Sequence, residues 1–428
     1  MEKASTTLKQ KLQLGGMAAD AKAGVVVESI NKKNLARRQL IQFLAASPLL
    51  AGIGPGRLLA DTLLNPVSSP ADALDVFDFQ RVAEQVLPPA HYGYLATGTD
   101  GDETLHANRK AFEKHYLRAL RMVDTSSIDT RLELLGQKLS SPIIIAPVGS
   151  QRAFHPEGEL ATARAARTGD HLQILSNVST TSIEDVIAAR GGPVWSQLYP
   201  TAKWSVAEKM VKRAEKAGAP TVVLTVDLHS GSNRVSMMRY IKQDERNCLE
   251  CHDRTREDAW LDLKPLYEGT GATTEEFDTP GMTWDFIERL KSITSMKVVI
   301  KGIVTPEDAA SAVQHGVDAH SVSHHGGRAE ALGWAPLDSL PGLDDAVNGA
   351  VPVLVDSGFR RGTDIFKALA LGADAVCIGR AYIWGLAAFG QPGVEKVLEI
   401  LRAELAMVMG QMGTPALKDI GPDRIGQH

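Results

Sequence analysis

Cysteine is nearly missing from this chain: three in 428 residues, Cys248, Cys251 and Cys377. A disulfide framework is thereby excluded as the source of stability, which must come from packing. Long hydrophobic runs are missing too. No segment holds the roughly 18 to 20 uninterrupted apolar residues that a helix needs to cross a bilayer, so the mature protein is expected to be soluble. An excess of positive charge is also lacking, since 46 basic and 51 acidic residues are mixed along the chain for a formal net charge of -5. That leaves no basic stripe to neutralise a phosphate backbone and excludes nucleic acid as a partner. Finally, no apolar strand is followed by G-x-G-x-x-G, which disfavours a nicotinamide dinucleotide site.

What the chain has is apolar material, 44% of its residues, enough to bury a large core. Its first part reads as a leader. Lys32, Lys33, Arg37 and Arg38 precede the modest apolar stretch 40–54, the order of an export signal. Arg37-Arg38 reads as a twin-arginine pair, which implies a periplasmic protein exported already folded around a cofactor. An amphipathic or disordered leader with a chance Arg-Arg is the alternative, leaving the protein cytoplasmic. On either reading, residues 1–65 stand outside the fold and 66–428 form it.

From Pro142 onward, short β-branched runs alternate with helical patterns, the signature of parallel βαβ units. Eight strands are expected, at 142–149, 173–178, 194–199, 221–227, 297–302, 319–325, 352–358 and 375–380. Helices are expected between them at 155–169, 204–218, 282–293, 305–316 and 362–372, several closed by a glycine suited to a left-handed C-cap. Eight strands with helical crossovers predict an α/β fold, a closed (β/α)8 TIM barrel. Cys377, inside AVCIG, reads as a small buried hydrophobe. Segment 228–282 interrupts the rhythm with charged, poorly periodic sequence after the fourth strand. A loop of that length reads as a lid over the catalytic face, or else as a solvated insertion.

Asp227, Lys301, His325, Arg328, Asp356 and Arg380 all fall at or just past the C-terminal ends of these strands. Barrel enzymes assemble their sites there. Any one of the six could merely cap the barrel, but six at equivalent positions point to a site.

The chain then resembles a known family, the FMN-dependent L-2-hydroxy acid dehydrogenases and oxidases. The resemblance runs from Phe77 to Ile420 and is most specific at VSHHGGR (322–328), similar to the family signature S-N-H-G-G-R with His324 where asparagine is usual. Supporting segments are 96–112, 143–159, 196–199, 225–234, 299–309 and 356–380. It implies that His325 is the catalytic base, a task that suits imidazole, with Asp227 orienting it and stabilising the imidazolium. It implies that Arg234 and Arg328 clamp the substrate carboxylate, with Tyr94 and Tyr199 hydrogen-bonding the substrate. For the FMN, Lys301 would lie beside the ring, where positive charge favours its reduced anionic form. Val148, Gly149, Ser176, Gln197, Thr225 and Ser323 would line the ring and ribityl chain, and Asp356 would bond the ribityl hydroxyls. Gly358, Arg360, Gly379 and Arg380 would hold the phosphate, in the loops where barrels commonly bind one. Val148 replaces a threonine common in the family, and Val178 and Gly231 stand where some members carry bulkier residues. More room beside the substrate, and one larger than glycolate, are expected unless the lid refills the space. The resemblance also implies a homo-oligomer.

Inside the lid, CLECH (248–252) has the C-x-x-C-H pattern of covalent c-type haem attachment. Three readings compete. A haem on Cys248 and Cys251 with His252 as axial ligand would take electrons from the flavin, with Met237 or Met238 as candidates for the remaining ligand. A zinc or redox pair is the second reading, for which only three ligands are visible. Coincidence is the third. The leading functional reading is oxidation of a lactate-like L-2-hydroxy acid with a haem, cytochrome or quinone as electron acceptor. An oxidase using oxygen is its alternative, and a barrel that has lost catalysis and only binds is a third.

Overall fold

The computed structural model describes residues 67–253 and 255–427. The expected leader, with its twin-arginine pair, lies outside the described residues. The eight expected strands all form: β1 (Ile143–Ile145), β2 (Gln173–Leu175), β3 (Val194–Leu198), β4 (Thr221–Thr225), β5 (Lys297–Ile303), β6 (Ala319–Val322), β7 (Val353–Val355) and β8 (Ala375–Ile378). They close in sequence order into one parallel barrel, β8 pairing back to β1 through Cys377 opposite Ile144. The chain is a (β/α)8 barrel.

Alternation along each strand divides the apolar residues between two compartments. Ile144, Ile174, Trp195, Val223, Val299, Leu354, Ala375 and Cys377 point inward and pack on one another. Cys377 is a buried core residue, as its apolar run suggested. A two-stranded hairpin, Leu132–Leu134 with Gln137–Leu139, sends Leu134 and Leu139 into this inner cluster and plugs it. The alternate residues, such as Ile143, Ile145, Val222, Val298 and Val355, face outward into the larger helical core.

The outer ring comprises α4 (Gly158–Gly169), α5 (Ile183–Arg190), α6 (Trp204–Ala217), α8 (Asp285–Ile293), α9 (Pro306–Gln314), α10 (Pro336–Val347), α11 (Gly362–Ala370) and α12 (Arg380–Met412). The last is two helices joined across a kink at Phe389 and Gly390, just before Pro392. Ahead of the barrel come α1 (Val76–Val86), α2 (Pro89–Ala96) and α3 (Glu103–Glu113), none of which the β-branched rhythm announces. A capping box starts α1, with Asp75 accepting from the Phe77 and Asp78 amides.

The long segment after β4 is ordered into short pieces. It contains α7 (Val235–Ile241) and 3-10 turns at Ala259–Leu263, Pro265–Tyr267 and Thr274–Phe277. α7 packs on α2, where Tyr92 meets Tyr240 edge to face. A Cβ on Gly93 would come 2.5 Å from the Tyr240 Cβ, so glycine is what permits this approach. Among the described residues, no helix is long and apolar enough to cross a membrane.

Candidate active site

Three consecutive residues with positive φ turn the chain after β6: His325 (61°), Gly326 (70°) and Gly327 (76°). The two glycines are needed on steric grounds as well. A Cβ on Gly326 would meet the Arg380 Nη1 at 2.6 Å, and one on Gly327 the Leu105 amide nitrogen at 2.7 Å. His325 bears left-handed backbone strain of the kind found at functional sites, and its amide donates to Ser323 Oγ at 3.0 Å. His324, in the asparagine position, is buried and accepts from the Gly327 amide through Nδ1 at 3.0 Å, so it braces the same turn.

The turn sets the His325 ring between two partners. Nδ1 lies 2.9 Å from Asp227 Oδ1, and Nε2 lies 3.0 Å from the Tyr199 hydroxyl. Asp227 also accepts from Lys301 Nζ at 3.3 Å. Lys301 in turn donates to Ser323 Oγ at 2.8 Å and pairs with Asp356 at 3.6 Å. Burial alone would raise the Asp227 pKa, but Lys301 and His325 outweigh it and hold the carboxylate ionised. Burial lowers the His325 pKa against the pull of Asp227, and Lys301 and Arg328 add to the lowering. The imidazole is therefore neutral near pH 7 and able to accept a proton.

Around this triad are the other expected residues. One cavity is lined by Tyr94, Val148, Gly149, Tyr199, Lys301, His325, Arg328, Asp356, Arg360, Gly379 and Arg380. An adjoining cavity of about 300 Å³ is lined by Tyr94, Val178, Tyr199, Thr225, Arg234 and His325 from the barrel and its loops. Its far wall is the lid, which contributes Leu228, His229, Trp260, Phe277 and Thr279. The lid thus covers the catalytic face and refills part of the room left by Val178 and Gly231. Ser176, Gln197 and Ser323 stand behind the lining. Gln197 joins the strands by accepting from Ser176 Oγ at 3.2 Å and donating to Thr225 Oγ1 at 3.1 Å. Gly358 is set back as well, its carbonyl accepting from Arg109.

Arg328 lies over the Tyr94 ring at 3.9 Å and donates to the Tyr94 carbonyl, while its Nη2 is buried without a hydrogen bond. Arg234 is steadied by Ser232 Oγ at 2.7 Å. Arg360 stacks on Trp384 at 4.4 Å, and Arg380 donates to the carbonyls of Leu95, Gly326 and Thr97. Burial pushes Arg328 down to about 10 and Arg360 down to about 9, and burial with both neighbouring guanidinium groups holds Arg380 well below its usual value. Among the described residues, none of these three has a carboxylate in salt-bridge range. Such a set of buried cations calls for anions from outside. It fits FMN: Arg360, Arg380 and the start of α12 at Gly379 would hold the phosphate, leaving Arg328 and Arg234 for a carboxylate. A Cβ on Gly379 would approach only Ala146, at 4.0 Å, so that side of the cradle is open.

Sequence reasoning missed several residues. Trp260, Phe277 and His229 reach the site from a segment with no periodicity to betray them, and Arg109 lies in a helix that was not expected. At C-x-x-C-H the sequence showed three candidate ligands; the structure brings His91 from α2 to the two thiols and His252, so four ligand-type side chains lie together. Cys251 Sγ is buried against Cys248 Sγ at 3.1 Å and His91 Nε2 at 3.5 Å.

A barrel that converges an oriented histidine, a buried lysine and a surplus of guanidinium groups on one cavity has the parts that the resemblance to flavin-dependent oxidoreductases implies. The chain belongs to the FMN-dependent dehydrogenase family, whose model matches residues 83–427. It is 38% identical over 351 residues to a peroxisomal (S)-2-hydroxyacid oxidase of Arabidopsis thaliana, covering 81% of this chain and 94% of that one. It is 36% identical over 355 residues to the glycolate oxidase of Spinacia oleracea, covering 82% and 95%. The solved structure of a mandelate oxidase is similar with a TM-score of 0.74 at 34% identity, covering 83% of this chain and 98% of that chain.

Proposed function

We propose that this enzyme oxidises an L-2-hydroxy acid to the 2-oxo acid and passes the two electrons to dioxygen, giving hydrogen peroxide. The observation that carries it is the His325 imidazole, neutral and fixed between Asp227 and Tyr199 beside an Arg328 nitrogen that no protein group satisfies. Arg328 and Arg234 bind the substrate carboxylate and fix which face of the substrate meets the ring. Tyr199 donates to the substrate oxygen, and His325 Nε2 takes a proton from the substrate. Asp227 then stabilises the imidazolium, and Lys301 keeps Asp227 ionised. Bound FMN would supply the two-electron acceptor chemistry.

Oxygen as acceptor, rather than the cytochrome or quinone expected from the sequence, is favoured by the relatives above, which are named as oxidases. The cavity of about 300 Å³ beside His325 suits a side chain larger than that of glycolate. Export through the twin-arginine route belongs to the same proposal and rests on Arg37-Arg38. The deciding experiment mixes the holoenzyme anaerobically with a panel of L-2-hydroxy acids, then with air. Bleaching of the flavin followed by rapid reoxidation and stoichiometric peroxide is expected. Slow reoxidation in air with rapid transfer to cytochrome c or a quinone would overturn oxygen as the acceptor.

A further inference from the structure

Outside the catalytic cavity, one cluster among the described residues has the composition of a metal centre. Cys248, Cys251 and His252 come from the lid and His91 from α2, and one ligand atom of each lies within 4.8 Å of all the others. Cys251 Sγ is central, 3.1 Å from Cys248 Sγ, 3.1 Å from His252 Nδ1 and 3.5 Å from His91 Nε2. Zinc holds thiolate sulfur at about 2.3 Å and imidazole nitrogen at about 2.0 to 2.1 Å, so ligand atoms drawn tetrahedrally onto it sit roughly 3.3 to 3.8 Å apart. The 3.5 Å separation falls within that spacing and the two of 3.1 Å lie a few tenths of an ångström inside it, so the ligand atoms are gathered closely enough to be drawn onto one ion. All three cysteines of the chain are free thiols in the structure.

The surroundings orient the ligands. The His91 ring also meets the Ala153 backbone carbonyl, the outer contact that commonly fixes a ligating imidazole. Lys264, buried, donates to the Cys251 carbonyl at 2.9 Å and to Ser150 Oγ at 2.6 Å, holding the ligand loop against the barrel. Asp244 reaches from the lid to the Ala90 amide at 3.3 Å, next to His91. Asp244 at Ala90 and Tyr240 at Gly93 therefore seat the lid on α2 on either side of His91.

We propose that His91, Cys248, Cys251 and His252 form a closed tetrahedral site for a divalent zinc ion that pins the lid to α2. Four protein ligands leave no open position for substrate, so the ion is structural. Its effect on the active site is indirect but short in reach. Tyr94 lies one turn beyond His91 on α2, packs under Arg328 and lines both active-site cavities. Trp260 and Phe277, further along the lid, form the opposite wall. A pinned lid keeps both walls in register. Binding displaces the two thiol protons and leaves the sulfurs unoxidised.

The test is the metal content of the full-length holoenzyme, purified without a histidine tag. About one zinc per chain is expected, with X-ray absorption showing a shell of two sulfurs and two nitrogens. Growth with cobalt should give the charge-transfer and d-d bands of a tetrahedral thiolate site. Cys248→Ser with Cys251→Ser, and separately His91→Ala, should lose the zinc while retaining the flavin spectrum, and should expose the lid to limited proteolysis. Should those variants not fold, the absorption spectra of the wild-type protein still decide. Substoichiometric zinc, a Cys248–Cys251 disulfide shown by thiol counting on the unfolded, unreduced protein, or a pyridine haemochrome spectrum would each overturn the proposal.

Discussion

Asp227 holds His325 by one oxygen and Lys301 by the other, at 2.9 and 3.3 Å, so a single buried carboxylate both orients the base and ties it to the residue expected beside the flavin ring. Replacing it by asparagine keeps the shape and removes the charge. Asp227→Asn is expected to keep FMN and to lower kcat by about 10²- to 10⁴-fold, the usual contribution of a positioned acid-base pair. Stopped-flow flavin reduction measures this directly. Unchanged reduction would mean that the carboxylate does not act through His325.

The direction of the His325 shift sets the pH profile. Burial, with Lys301 and Arg328, lowers the pKa below the free imidazole value, and the base works only when unprotonated. Activity must therefore rise with pH through a value below about 6.5 and then level off in the neutral range. The acid limb of kcat/KM reports this pKa. In Arg328→Met the limb should move upward, because one of the cations opposing the imidazolium is gone. A limb that stays in place would separate the two groups electrostatically.

The barrel was legible because β-branched runs at regular spacing are a local signal, and each charged residue placed at a strand end from sequence came to lie in or directly behind the cavity. The place of the lid was legible but its internal order was not, since that order comes from contacts with distant chain: Tyr240 against Gly93 and Lys264 against Ser150. His91 is the sharpest case. It sits 160 residues before Cys251 in a short helix with no metal-binding spacing of its own, so C-x-x-C-H looked one ligand short. The helices α1 to α3 lie before the first expected strand, ahead of the stretch from Pro142 onward where alternating strands and helices were read.

Surplus positive charge makes a prediction about the apoprotein. Arg360 lies close enough to disfavour the charge of buried Arg380, and Arg109 that of Arg360, so removing Arg360 relieves repulsion when no phosphate is bound. Arg360→Met should leave the apoprotein as stable as the wild type or more so. In the holoenzyme it removes a charge-assisted contact of about 1.5 to 3 kcal/mol, which weakens FMN binding roughly 10- to 150-fold. Fluorescence titration with FMN and thermal melts of both forms check the two signs. Inorganic phosphate should raise the wild-type apoprotein Tm and have little effect on the variant.

Trp260 walls the cavity beside His325 from the lid side. It comes from the lid, packs on Phe277 with ring centroids 5.1 Å apart, and its Nε1 donates to Thr274 Oγ1 at 3.0 Å, so its ring is fixed where it walls the substrate cavity. It touches neither the base nor the carboxylate clamp through any of these contacts. Trp260→Ala should therefore spare proton removal and act on side-chain fit. For a small hydroxy acid the lost apolar contact raises KM, while a bulkier aromatic hydroxy acid gains space and its kcat/KM rises. One methylene of fit is worth about 1 to 3 kcal/mol, so the preference between the two substrates should shift by roughly 5- to 150-fold. Equal losses for both would instead mean that Trp260 supports the lid as a whole. Phe277→Ala then distinguishes the cases, because a wall residue repeats the size-dependent shift and a lid support repeats the uniform loss.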